Sequence, residues 1–186
     1  MDLYPVFLHL NDRDVLLVGG GTVASSKLDA LLAAGARVTV IAPQVRQTLR
    51  RASVVIHERE FSPADLDGRW FVVAAGPPEV NRAVAAAAEA RRIFVNAVDD
   101  TDSASAYLGG VLRKGGVTVA ISTEGRAPAL TGLLREGLDA LIPEDIESWA
   151  EVAMRLRAYW KADAVPVPRR RPLLLRALNQ LYWGAA

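Results

Sequence analysis

The sequence predicts an α/β protein: a doubly wound parallel sheet, followed by a hairpin with a helix and then a C-terminal helical module. Three observations predict it. Short apolar runs alternate with helical patterns through the first half, three glycines stand where the first run gives way to the first helix, and the alternation stops after Asp99.

Residues 14–18 (DVLLV) form the first strand, bounded by Gly19, Gly20 and Gly21. Over 22–34, Val23, Leu28, Leu31 and Leu32 recur at helical spacing, and Gly35 is a suitable stop. Further strands follow at 37–42 (RVTVIA, closed by Pro43), 54–56, 70–75 (WFVVAA) and 93–98 (IFVNAV), the last two separated by an alanine-rich helix over 78–91. Strands joined by helices of this length run parallel, because a parallel neighbour is reached only through a crossover. After Asp99, the runs 107–113 and 117–122 meet across Lys114-Gly115-Gly116, a hairpin turn. Residues 127–141 are amphipathic, with Leu130, Leu133, Leu134, Leu138 and Leu141 on one side. Another helix runs from Pro143 to about Ala162, with Trp149, Val152, Ala153, Leu156 and Trp160 along one face. The stretch 164–172, with its three prolines and Arg169, Arg170 and Arg171, reads as a linker before a last short helix over 173–183.

Composition bounds the function. With 51% hydrophobic and 23% charged residues, the 186-residue chain is neither disordered nor collagen-like, and no apolar run reaches membrane-spanning length. The opening MDLYPVFLHLNDRD has no basic segment leading an apolar stretch, so no secretory leader is predicted. Zero cysteines exclude disulfides, thiolate zinc sites and a catalytic thiol, and fit a cytoplasmic protein. The two histidines, His9 and His57, lie far apart without metal-ligand spacing, so no resident metal is expected. The net charge of +1 conceals a split: residues 1–150 carry a net −4 and residues 151–186 a net +5. A basic tail on an acidic body is a solvated helix face or a surface for a polyanion. Arg169, Arg170 and Arg171 are too short a run, without interleaved aromatics, for a nucleic-acid binder.

The most informative motif is Gly19-Gly20-Gly21-Thr22-Val23-Ala24, which fits G-x-G-x-x-G/A between a strand and a helix. Gly19 permits the tight turn, Gly21 removes a side chain where a pyrophosphate approaches, and Ala24 lets helix and sheet pack closely. Exposed amides at the helix N-terminus then bind the phosphates, which makes the domain Rossmann-type. The second strand ends Ile41-Ala42-Pro43-Gln44, with no acid for ribose hydroxyls. Arg46 just beyond is either a 2′-phosphate contact favouring NADP or a solvated surface residue, so the choice of nicotinamide cofactor stays open. A second ligand is expected beyond the strand ends at Ala74-Ala75-Gly76, small enough for close approach, and at Asn96-Ala97-Val98-Asp99-Asp100. Asp99 there is an acid or base, or else a turn cap.

Three segments carry a family resemblance: YPVFLHLNDRDVLLVGGGTVASSKLDALLAAGARVTVIAP, PEVNRAVAAAAEARRIFVNAVDD and VAISTEGRAPALTGLLREGLDALIP. In this order they resemble the siroheme synthase family, in its precorrin-2 dehydrogenase/sirohydrochlorin ferrochelatase domain. The resemblance implies NAD-dependent oxidation of precorrin-2 to sirohydrochlorin, in many members followed by insertion of ferrous iron as a substrate at the same site. It implies that Asp99 is the catalytic carboxylate. Gly19, Gly21, Thr22 and Val23 fall on the pyrophosphate turn, Ala42, Pro43 and Gln44 on the adenosine-ribose side, and Ala75, Gly76, Asn96 and Val98 at the strand ends of the cofactor site. Ser122, Thr123, Gly125 and Arg126 fall on the tetrapyrrole cleft. The family is a homodimer, so the expected organisation is a dinucleotide-binding domain over 1–106, a dimerisation region over 107–143 and a helical module over 144–186. A tetrapyrrole with eight carboxylates makes the basic tail a candidate contact. The chain differs from many relatives at Ala75-Gly76-Pro77, at Tyr107-Leu108-Gly109-Gly110 and at Glu124, where glycine is frequent. The alternatives that these differences motivate are a nucleotide-sensing module without catalysis and a dehydrogenase that has lost the chelatase step.

Overall fold

Five parallel strands carry the first part of the chain, in the order β3-β2-β1-β4-β5. They are β1 (Asp14–Val18), β2 (Arg37–Ile41), β3 (Val55–His57), β4 (Phe71–Ala74) and β5 (Phe94–Ala97), with α1 (Thr22–Ala33) between β1 and β2 and α2 (Pro78–Glu89) between β4 and β5. The computed structural model describes residues 3–183. These form two compact units, one ending at Leu108 and one beginning at Gly109.

In the first unit β1 is central. Val18 pairs with Ile41 of β2 on one side and Ala74 of β4 on the other. Alternate residues of each strand point to opposite faces, so one sheet supplies two apolar layers. Val15, Leu17, Val38, Val40, Phe71 and Val73 pack against Ala24, Leu28 and Leu31 of α1. Leu16, Val18, Ile41, Val72 and Val95 pack against Val84 and Ala88 of α2. Because both faces are covered, the strands are continuously apolar rather than alternating.

The expected strands of the first unit exist: β1 has the expected bounds, β2, β4 and β5 are one or two residues shorter, and β3 is shifted on by one residue to 55–57. Beyond their ends single bonds continue, Ala42 N–H to His57 O at 3.3 Å and Ala75 N–H to Val18 O at 2.7 Å, without a regular ladder. Val23, expected on the apolar stripe of α1, is exposed. The stripe is set by Ala24, Leu28 and Leu31, and Val23 is turned about 100° away from Ala24.

A partly buried ion pair braces the loop before β4. Asp65 accepts from Arg59 and from the Ser62 N–H, which sits 2.8 Å away, in a short turn whose Leu66 is buried. The Arg59 hydrogen bond holds the Asp65 carboxyl below the usual carboxylate range, against an opposing effect of burial. A carboxylate depressed in the folded state contributes stability above its unfolded pKa and loses it as pH falls through the folded one. Asp65→Asn is therefore expected to melt lower at neutral pH and to lose less on acidification than the parent chain. Thermal melts between about pH 7 and pH 3 measure both differences.

The second unit holds an antiparallel hairpin, β6 (Gly110–Lys114) and β7 (Val117–Ile121), then α3 (Pro128–Leu141), α4 (Ile146–Ala162) and α5 (Val167–Trp183). Gly115 and Gly116, at φ 49° and 76°, give the two left-handed residues that a tight hairpin turn requires. Lys114 Nζ donates to the carbonyls of Asp139 and Ile142, which holds the hairpin to the C-terminal end of α3. Trp149 Nε1 donates to Tyr182 Oη, which in turn donates to Asp145 Oδ2, fastening α4 to α5.

One expectation fails here. The stretch 164–172 is not all linker, since α5 begins at Val167. Pro168 falls in the first turn, where a missing N–H costs no hydrogen bond, so Arg169, Arg170 and Arg171 ride on a helix. On α3, Leu130, Leu133, Leu134 and Leu141 are exposed and Thr131 is the buried residue. The sequence marked the apolar face, and among the described residues most of it is left exposed. No helix among the described residues is long and apolar enough to cross a membrane.

Candidate functional site

The glycine turn is built by contacts on one side and open space on the other. Gly19 sits at φ 139°, and a Cβ there would lie 2.4 Å from the Ala75 carbonyl oxygen. A Cβ on Gly20 would lie 1.8 Å from the Gln44 carbonyl oxygen and 3.1 Å from the Ala42 side chain, which is itself buried. A Cβ on Gly21 would meet nothing within 4 Å. Two glycines are thus demanded by the chain's own packing, while the third leaves room for something else.

That room opens at the N-terminus of α1. Gly21 is the N-cap, no side chain caps the first turn, and no acidic residue occupies it. Uncapped amides with the positive end of the helix dipole form an anion site. The loop after β2 is laid over the turn by Arg46 N–H donating to Gly20 O at 3.0 Å, which brings Pro43 and Gln44 beside it. The Arg46 guanidinium donates to the Thr22 hydroxyl, so it turns back onto the mouth of α1. Among the described residues it pairs with no carboxylate, whereas Arg50 and Arg51 are neutralised by Glu58 and Asp29.

The ends of β4 and β5 complete the same edge of the sheet. Gly76 was expected to leave room for a ligand, but a Cβ there would meet Val80 of α2 at 3.3 Å. Its small size accommodates the helix. Asn96, buried on β5, donates Nδ2 to Ala106 O at 3.0 Å, while its Oδ1 is buried with no partner among the described residues. An unpaired buried acceptor is costly, and a ligand donor would satisfy it. The open cradle at Gly21, the uncapped amides and this orphan acceptor together fit a dinucleotide lying across the strand ends.

Asp99 and Asp100 follow directly and differ in role. Asp100 Oδ1 accepts the Ser103 N–H at 3.1 Å, and hydrogen bonding by Ser103 holds its carboxyl below the usual range. The turn-capping work falls on Asp100. Asp99 is exposed at φ 58°, and its carboxylate has no hydrogen bond or ion pair among the described residues. A non-glycine residue held in the left-handed region is a mark of functional sites, although aspartate tolerates it better than most.

Sequence reasoning missed Asn81. It is 2% exposed in the first turns of α2, accepts the Gly76 N–H on Oδ1 at 3.0 Å and donates Nδ2 to Val98 O at 3.3 Å. The signal was present: Asn81, Val84 and Ala88 are spaced i, i+3, i+7, which puts a polar residue on the buried stripe.

Ser122, Thr123, Gly125 and Arg126 belong to the second unit, in the turn between β7 and α3. Ser122 Oγ accepts the Glu124 N–H, and Thr123 Oγ1 accepts the Ala127 N–H. Glu124 stands at φ 56°, which explains why glycine suits that position, and it pairs with Arg126. Among the described residues no group of three or more His, Asp or Glu side chains is placed to hold a metal ion.

Comparison with known proteins is consistent with this geometry. Residues 6–110 match a family model described as "Putative NAD(P)-binding". The whole chain is similar to siroheme synthase 3 of Aeromonas hydrophila subsp. hydrophila, at 41% identity over 191 residues, which is 41% of that protein. It is likewise 41% identical to the siroheme synthase of Citrobacter koseri over 176 residues, covering 92% of this chain and 38% of that one. The chain therefore spans well under half the length of these curated relatives. Among solved structures, the precorrin-2 dehydrogenase SirC superposes with a TM-score of 0.71 at 26% identity, covering 94% of this chain and 88% of that one.

Proposed function

Since this chain belongs to that NAD(P)-binding family and is akin to siroheme synthases, we propose that it catalyses the NAD-dependent dehydrogenation of precorrin-2 to sirohydrochlorin. The observation that carries the reading is the free Asp99 carboxylate at the strand edge that also bears the open glycine cradle. The dinucleotide, when bound, supplies the acceptor for the hydride. The amides of Thr22 and Val23 hold its pyrophosphate, and Arg46 adds a positive charge beside them. Pro43 and Gln44 flank the adenosine ribose, with Ala42 behind Gly20, while Ala75, Gly76, Val98 and Asn96 form the nicotinamide end. Asp99 takes the proton that leaves the tetrapyrrole as the hydride departs. Ser122, Thr123, Gly125 and Arg126 meet the substrate's carboxylates.

Precorrin-2 mixed with the protein and NAD should yield the absorption spectrum of sirohydrochlorin, with no conversion above background when NAD is omitted. Dinucleotide binding without conversion would instead favour the sensing module. Ferrous iron added only after conversion separates metal insertion from dehydrogenation. The reaction belongs in the cytoplasm on this reading.

The chain acts as a homodimer through residues 107–143. The exposed Leu130, Leu133, Leu134 and Leu141 of α3 support this, since so large an apolar face is rarely left to water. Leu133→Glu is expected to halve the mass measured by light scattering. A parent chain that is already monomeric at assay concentration would refute the proposal.

A further inference from the structure

The contacts of Asn81 join two loops that the proposed reaction needs in register. The Gly76 N–H and the Ala75 carbonyl share one peptide plane. Asn81 Oδ1 accepts that N–H at 3.0 Å, and the carbonyl oxygen of the same plane faces Gly19, where a Cβ would come within 2.4 Å. The Val98 carbonyl and the Asp99 N–H share a second plane, and Asn81 Nδ2 donates to that carbonyl at 3.3 Å. Asp99 turns into its left-handed conformation at φ 58° by rotation about the bond that leaves this plane. One buried amide therefore fixes both planes at once.

We propose that Asn81 is a positioning residue that couples the glycine turn to the Asp99 carboxylate, so that cofactor and base are held in register. The side chain touches neither reacting partner; it acts through Gly76 and Val98. A carboxamide suits both bonds and an ionised carboxylate does not, because one end must accept and the other must donate. Its burial at 2% exposure keeps water from competing for either bond and makes each costly to lose. Two neighbouring features fit the same role. Gly76 has no Cβ, which lets α2 come close enough for its first turns to reach both strand ends. The Asn81 N–H donates to Pro77 O at 2.9 Å, so the residue is anchored in the helix rather than on a loop.

The proposal rests on the reading of Asp99 as the base, and Asn81→Asp in the full chain tests it. Once ionised, the introduced carboxylate would keep the acceptor for Gly76 and lose the donor for Val98. The expected result is NADH affinity within about 2-fold of the parent and a protected Gly76 amide in hydrogen exchange, with kcat lower by roughly 100-fold and KM within about 2-fold. A protonated carboxyl regains a donor, so the ratio of variant to parent kcat should rise at least about tenfold as pH falls towards about 5. Taking the ratio cancels the titration of Asp99 itself, which is common to both proteins. Asn81→Leu removes both bonds, and should weaken NADH binding about tenfold and speed Gly76 exchange by at least as much. Asn81→Ser replaces it if the leucine variant does not fold.

Parental kcat in Asn81→Asp at every pH up to about 9, where even a buried carboxyl ionises, or a loss of kcat with the same ratio at every pH, overturns the proposal. Unchanged NADH affinity and unchanged Gly76 exchange in Asn81→Leu also overturn it. A parent chain that binds NADH but does not convert precorrin-2 refutes the proposed reaction instead. The exchange and NADH measurements then still decide whether Asn81 ties the two loops.

Discussion

Asp99→Asn is expected to lower kcat for precorrin-2 oxidation by roughly 10³-fold while leaving the NAD Kd within about 2-fold of the parent. The choice of asparagine matters. Asp99 is held at φ 58°, a conformation that asparagine adopts as readily as aspartate and that alanine adopts at a greater cost. Asparagine therefore removes the basic oxygen without disturbing the backbone, whereas Asp99→Ala mixes lost chemistry with relaxation of the turn. Asp100 provides the internal comparison. Its carboxylate is spent on the Ser103 N–H, so Asp100→Asn should weaken the turn and cost far less turnover. Steady-state kinetics on both variants, with dinucleotide titrations alongside, separate the two roles. Comparable rates for the parent and Asp99→Asn would remove Asp99 from the reaction.

The glycine turn gives the second large effect, and here two adjacent glycines should behave differently. Gly21 lies at φ −93°, an ordinary extended conformation, with nothing within 4 Å of the place where a Cβ would stand. Gly21→Ala should thus fold as the parent does, with a melting temperature unchanged within about 2 °C. Its dinucleotide affinity should fall by more than about 100-fold, because the methyl group occupies the space through which the pyrophosphate reaches the α1 amides. Gly20→Ala should do the reverse. Its Cβ would collide with the Gln44 carbonyl at 1.8 Å, so the fold itself is strained, and the melting temperature should drop by roughly 5–10 °C. Calorimetric melts and fluorescence titration with NADH distinguish the pair. Parental NADH affinity in Gly21→Ala would show that the phosphates do not lie in that space.

Much of the first unit was legible from local pattern. The runs DVLLV, RVTVIA, WFVVAA and IFVNAV are each too short and too β-branched for helices, and each is bounded by glycine, proline or charged residues. The fingerprint at Gly19, Gly21 and Ala24 is equally local, since its pattern falls within six consecutive residues. Val23 shows the limit of periodicity: an apolar residue can fit the spacing and still lie one position off the buried stripe. The proline-rich stretch at 164–172 shows another. Proline ends helices in general, but at the first turn of α5 it begins one, and only the hydrogen-bond pattern distinguishes the cases.

Local sequence was enough for the parallel α/β architecture, the glycine turn and the position of the two acids after β5, because each depends on residues adjacent in the chain. Which acid is free, which glycine is open and what Asn81 does came only from the folded chain. Those properties depend on partners brought together from afar: Gly20 meets Gln44, Gly19 meets Ala75, and Asn81 reaches Val98 seventeen positions along. A one-dimensional pattern records where a polar residue falls on a buried stripe. It does not record which donor and acceptor meet it there, and at these strand ends the function proposed for the protein turns on those partners.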